Sequence, residues 1–164
     1  MAPMVGDIYV QSPTWEYHYS SENGEISEVV KLPGEIVESK ERLLSYATAD
    51  GKPANKNIYA ITKGAVDYIH PKANIETGEL LVKIRSVSVS GVYQPRVPND
   101  IEQVSVNDRY WFCYENNLYP IDVNYRSEQQ AFITISSVKV DVLPLSQTLP
   151  NIVLSREYSK SLCL

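Results

Sequence analysis

The stretch at residues 109–125, RYWFCYENNLYPIDVNY, sets rings and branched side chains at alternate positions on both sides of Asn116-Asn117. Strict alternation is the period of a strand, whose side chains point to opposite faces in turn. An Asn-Asn pair at its centre suits a type I′ turn, which needs positive φ at both central residues. The spacing therefore predicts a hairpin. With the turn on Asn116-Asn117, Tyr114 faces Tyr119, Phe112 faces Ile121 and Tyr110 faces Val123, all on one face. Packing one side of a core accounts for most of the six rings in these seventeen residues. Pro120 withholds a ladder donor, so its strand belongs at an edge or turns that nitrogen outward. Arg109, Trp111, Cys113, Asp122 and Asn124 fall on the second face. There Trp111 and Arg109 are candidate partner-binding residues, because Trp, Tyr and Arg dominate interface hot spots. The competing reading has the connection at 91–108 cover Trp111.

The rest of the chain leans the same way. Valine and isoleucine together number 31 against 8 alanines, with 12 tyrosines. Such side chains lose rotamer freedom on a helix and pack well on a pleated sheet. Asn23-Gly24 in TWEYHYSSENGEISEVVKL (14–32) predicts a second hairpin, with Tyr17 opposite Val30, Trp15 opposite Leu32 and Glu16 opposite Lys31. Trp15, Tyr17 and Tyr19 then share a face, read as a core face rather than as an open platform. EIVESKERLLSYATA (35–49) is the one helix candidate, through Ile36, Leu43 and Ala47. NIYAITKGAVDYIHP (57–71) reads as a hairpin turning at Lys63-Gly64. In 78–93 and 131–145 the alternation changes phase, between Ile84 and Val87 and between Ile135 and Val138, which predicts a β-bulge in each. The segment 50–57 is a turn-rich loop, and a short strand is expected at 102–106.

The fold class expected is mainly β: an antiparallel β-sandwich or flattened barrel with at most one short helix. One domain spans 1–164. Its C-terminal tail, 144–164, is too apolar for a solvated end, so Ile152 and Leu154 are expected to dock on the same domain or on a neighbouring subunit.

The bulk properties narrow the function. A net charge of -5 argues against general affinity for nucleic acid or anionic membranes. No apolar run is long enough to span a bilayer. The N-terminal residues carry no basic region followed by an apolar run, so no secretory signal is read there. Two cysteines, Cys113 and Cys163, allow one disulfide; two free buried thiols are the expectation for a chain without a signal. His18 and His70 have no second ligand at metal spacing, and no Walker loop, dinucleotide fingerprint or nucleophile elbow occurs. No catalytic residue, cofactor or metal is therefore assigned, and no motif is specific enough to name a family.

The reading that follows is a non-enzymatic structural subunit acting through protein contacts in a larger assembly, such as a virion or phage tail, located in the cytoplasm or a virion. The alternatives are a carbohydrate-binding or adhesion module using Trp15, Trp111 or nearby tyrosines, and a hydrolase whose acids are not visible in sequence. Protein subunits are the expected partners, as a homo-oligomer or hetero-assembly, with a glycan the lesser expectation.

Overall fold

The computed structural model describes residues 3–49 and 54–164. Twelve strands run in order: β1 (Met4–Tyr19), β2 (Gly24–Val29), β3 (Ile36–Val37), β4 (Arg42–Thr48), β5 (Asn55–Tyr59), β6 (Gly64–Ile69), β7 (Asn74–Ile75), β8 (Leu80–Pro95), β9 (Arg109–Tyr114), β10 (Asn117–Arg126), β11 (Ala131–Ser136) and β12 (Gln147–Leu154). Three short 3-10 helices are the only helical segments among the described residues. The fold is mainly β and the described strand pairs are antiparallel, as the composition predicts. The sheets do not close into a barrel.

The chain divides into two compact units. Unit 1 is Met1–Thr14 with Val87–Leu164, and unit 2 is Trp15–Ser86. In chain order, unit 2 is thus an insertion within unit 1.

Unit 1 contains the sheet order β12-β1-β8-β11-β10-β9. Its core gathers Ile8, Val10, Tyr93, Tyr110, Phe112, Tyr119, Ile121 and Ile133, all essentially inaccessible to solvent. The β9–β10 hairpin supplies much of this core. Its turn is Glu115-Asn116, with positive φ at both, so Tyr119 pairs with Phe112 and Ile121 with Tyr110. The register sits two residues from the one expected. A two-residue slip preserves side-chain parity, so the same residues still face inward. Phe112 and Tyr119 stack with ring centroids 5.4 Å apart. The Tyr110 hydroxyl accepts from the Ser105 N–H at 3.0 Å, and that of Tyr119 donates to the Lys139 carbonyl at 3.0 Å. These bonds let phenols enter an apolar interior at low cost. Tyr93 is different: its hydroxyl is buried without a partner among the described residues, and burial drives its pKa well up.

Unit 2 has two sheet parts. One is the pairing of β3 with β6 and of β6 with β8, and the other is the four-stranded sheet β5-β4-β2-β7. Its separate core includes Val37, Leu43, Leu44, Tyr46, Val66, Val82 and Ile84.

Several local expectations are corrected here. Residues 35–49 are not a helix: β3, a turn and β4 occupy them. Lys40 sits at φ 73° and ends any helical run, and the consecutive Leu43 and Leu44 are both inaccessible because both faces of β4 are covered. Asn23-Gly24 is not a hairpin turn either. β2 pairs with β4 and β7, not with β1. Gly24 is needed for a different reason, since a Cβ there would run into the Ala47 carbonyl. Asn23 instead accepts the Thr77 N–H at 2.8 Å. The Glu16–Lys31 pair does not form, and Lys31 meets Glu41 at 3.0 Å.

Residues 57–71 do not form a hairpin. β5 pairs with β4, while β6 pairs with β3 and β8. The phase change in β8 falls at the boundary between the units, and the register shift between β6 and β8 lies at Val66/Tyr68. In the second instance the strand simply ends at Ser136, leaving Val138 exposed. The short strand expected at 102–106 is replaced by a 3-10 helix at Pro98–Gln103. The loop expected at 50–57 lies partly outside the described residues, and β5 takes its last three positions.

Candidate functional site: an aromatic and cationic sheet face on unit 2

Trp15, Tyr17 and Tyr19 alternate along β1, so they share a face. The expectation that this is a core face does not hold: Tyr17 is 48% exposed and Tyr19 57%. Their rings lie 6.3 Å apart and nearly parallel, 18° between planes. Lys83 Nζ on β8 sits 4.1 Å from the centre of the Trp15 ring and 5.9 Å from that of Tyr17. An ammonium over the face of a ring is attracted by the ring's quadrupole. Lys83 also reaches Asp67 at 3.7 Å.

The strand register extends this face. Tyr68 is directly across from Lys83, and Arg85 is across from Ala65, which is in turn across from Ile36. Residues directly opposite one another in an antiparallel ladder point the same way. The partners on the reverse side, Val37, Val66, Val82 and Ile84, are the inaccessible ones. Unit 2 therefore presents one sheet face of rings, an isoleucine and two cations, partly or fully open to solvent. Among the described residues Arg85 has no ion pair, and its Nε is buried without a hydrogen-bond acceptor.

The other side of this part of β1 is tied down. Glu16 accepts from the Ile61 and Thr62 N–H groups, each at 2.9 Å, and pairs with His18 Nε2 at 2.5 Å. Burial alone would raise the Glu16 pKa, but these bonds together hold it below the usual carboxylate range. His70 is likewise engaged, Nε2 with Glu79 at 2.6 Å and Nδ1 with the Lys72 carbonyl at 2.9 Å. The His70 contact is the main reason the Glu79 pKa is lowered. In both pairs the imidazole faces a carboxylate, and among the described residues neither ring bonds a hydroxyl or thiol. Among the described residues no group of three or more His, Cys, Asp or Glu is placed to hold a metal.

The residues singled out from sequence lie elsewhere, in unit 1. Arg109 is exposed and forms a two-pronged pair with Asp122, at 3.0 and 3.1 Å. Trp111 is half-buried and lies against the C-terminal segment. Its backbone exchanges two hydrogen bonds with Ser155, and its ring meets Tyr158 edge-on at 4.8 Å. Ile152 and Leu154 are side chains of the unit 1 core, 7% and 1% exposed. The strand pairing of β12 with β1 puts them there. Cys113 and Cys163 are not free thiols; they form a disulfide.

No family model and no curated protein matches the chain. Solved structures similar to it include ZneB from Cupriavidus metallidurans, at TM-score 0.45 and 10% identity over 93% of this chain and 97% of that one. Another is the membrane fusion protein Spr0693 from Streptococcus pneumoniae R6, at TM-score 0.41 and 12% identity over 94% and 100%. The sequence reading of a virion or phage-tail subunit is corrected here: neither of these structures is a virion or phage component. A missing catalytic motif is common to all non-catalytic β proteins and never pointed to a virion in particular. The cytoplasmic location expected from sequence is corrected by the Cys113–Cys163 disulfide, since such bonds persist in oxidising compartments and are kept reduced in the cytosol.

Proposed function

We propose that this protein is a non-enzymatic binding module that works outside the reducing cytosol and holds a partner protein on the open sheet face of unit 2. The observation that carries the reading is the grouping of Arg85 and Lys83 on one sheet face with Trp15 and the exposed Tyr17. Large aromatic residues and arginine supply most of the energy of protein interfaces. Two cations against one carboxylate, Asp67, select a partner segment that carries acidic side chains. The rings supply apolar area that is already stiff on a strand, so little conformational entropy is lost on contact. The disulfide supports the location, and the occupied histidines support a role without bond chemistry.

A photo-crosslinker placed at Tyr17 tests this in the native host, with one at the exposed Tyr125 of unit 1 as control. The expected result is a discrete protein adduct from position 17, absent from position 125 and abolished by Arg85→Glu. The adduct should map to an acidic segment of the partner. An adduct that survives Arg85→Glu, or a face that captures soluble oligosaccharide instead of protein, overturns the proposal.

A further inference from the structure

The C-terminal segment builds a second site, in unit 1. A cavity of about 480 Å³ lies beside the β9–β10 turn. That volume is within the range of small-molecule sites. Leu118 and Val138 give it an apolar surface, and Lys139 approaches from the segment after β11. The remaining wall is the C-terminal segment itself, through Tyr158, Lys160 and Cys163. Among the described residues no aspartate or glutamate lines it.

Lys31, Lys56, Lys63 and Lys83 are each paired with a carboxylate, whereas Lys40, Lys72, Lys139 and Lys160 form no ion pair among the described residues. Lys139 Nζ donates to the neutral Asn117 Oδ1 at 3.1 Å, and Lys160 has no acceptor among the described residues. Neither charge is compensated at short range, although both border a partly apolar surface. Glu115 and Asp141 stand close enough to act on Tyr119, but they do not line the cavity. An occupant that satisfies this lining has an anionic head for the lysines and an apolar body for Leu118, Val138 and the Tyr158 ring.

The wall is held by covalent and directed contacts. The Cys113–Cys163 disulfide fixes its far end to β9. Nearer β12, Ser155 bridges to Trp111, Tyr158 abuts the Trp111 ring and Arg156 pairs with Asp108 at 3.3 Å. We infer that this cavity is a binding site for a small amphiphilic anion, such as a carboxylate on an acyl or aryl body, and that the disulfide keeps it formed.

Decanoate is the probe, followed by methyl NMR on the whole protein. Saturable shifts at Leu118 and Val138 are expected, and at least tenfold weaker binding by the neutral decanol and by the cationic decyltrimethylammonium. Lys139→Gln with Lys160→Gln should weaken decanoate at least tenfold. Cys113→Ser with Cys163→Ser should do the same while the far-UV circular dichroism stays unchanged. Lys160→Gln alone, on an exposed side chain, tests the charge without threatening the fold and should weaken binding about threefold. Equal affinity for decanol and decanoate, shifts confined to other methyls, or binding unaffected by the lysine changes would overturn the inference. So would decanoate binding that the folded cysteine variant retains in full.

Discussion

Each unit carries a run of alternating rings, and the two runs meet opposite fates. In unit 2, Trp15, Tyr17 and Tyr19 stand partly or largely in solvent. In unit 1, Tyr110 and Phe112 are sealed, with Tyr119 across the hairpin. Alternation determines which rings share a face, but it is silent on which face is covered. Coverage is decided by what lies opposite. The rings of unit 1 meet Ile8, Val10 and Ile133 from other strands of their sheet, whereas those of unit 2 meet Lys83. An ammonium stacks on a ring while staying hydrated, so it partners the row without burying it.

The contrast is broken or sharpened by substitution. Each unit holds one of the two tryptophans, so Trp15→Phe or Trp111→Phe leaves a fluorescent reporter for the other unit. Phe112→Ala should destabilise unit 1 by about 4 kcal/mol, as for a large aromatic removed from a sealed core. Tyr17→Ala should cost unit 2 only about 0.5 kcal/mol. Urea titrations of both variants decide the point, and equal losses would end the distinction drawn between the rows. Replacing both cysteines by serine should cost unit 1 about 3 kcal/mol, from freeing a 50-residue loop in the unfolded chain. The Trp15 signal should hardly move.

A smaller effect is expected at Gly24. Alanine there drives a Cβ into the Ala47 carbonyl, so unit 2 should lose about 2 kcal/mol, read from its thermal midpoint. A midpoint unchanged by this substitution would mean that β2 and β4 can separate freely.

The smallest effect concerns acid. Glu16, Glu41 and Glu79, all in unit 2, have lowered pKa values in the folded state. As pH falls below about 4.5, the unfolded chain takes up protons on these groups before the folded one does. The stability they contribute is full above that range and is lost on further acidification. Unit 2 should therefore weaken before unit 1 between about pH 5 and pH 3. Glu16→Gln should flatten that dependence as read by Trp15 fluorescence.

The same contrast shows what was legible in the sequence. The β class and the β9–β10 hairpin both follow from composition and period. That hairpin survived a two-residue error because its pattern is strictly periodic. Asn23-Gly24 misled because glycine serves two purposes: here close backbone approach in β2 fixed the residue, not a turn. The strand at 42–48 looked helical because a strand covered on both faces loses its period of two. The division into units was hidden because β1 and β8 each continue through the boundary, so no linker composition marks it. The unit 2 face was named residue by residue as Trp15, Tyr17 and Tyr19. Its exposure depends on Lys83 and Arg85, which are more than 60 residues away along the chain.

The Cys113–Cys163 link has a practical corollary for handling the protein. It closes a ring of chain that contains all of β10, β11 and β12. A protease that cuts once in the exposed stretch near Val138 or Val142 opens this ring without releasing a fragment. The nicked species should migrate as one band on a gel run without reductant and as two bands with it. Integrity checked only under oxidising conditions would therefore overlook the damage.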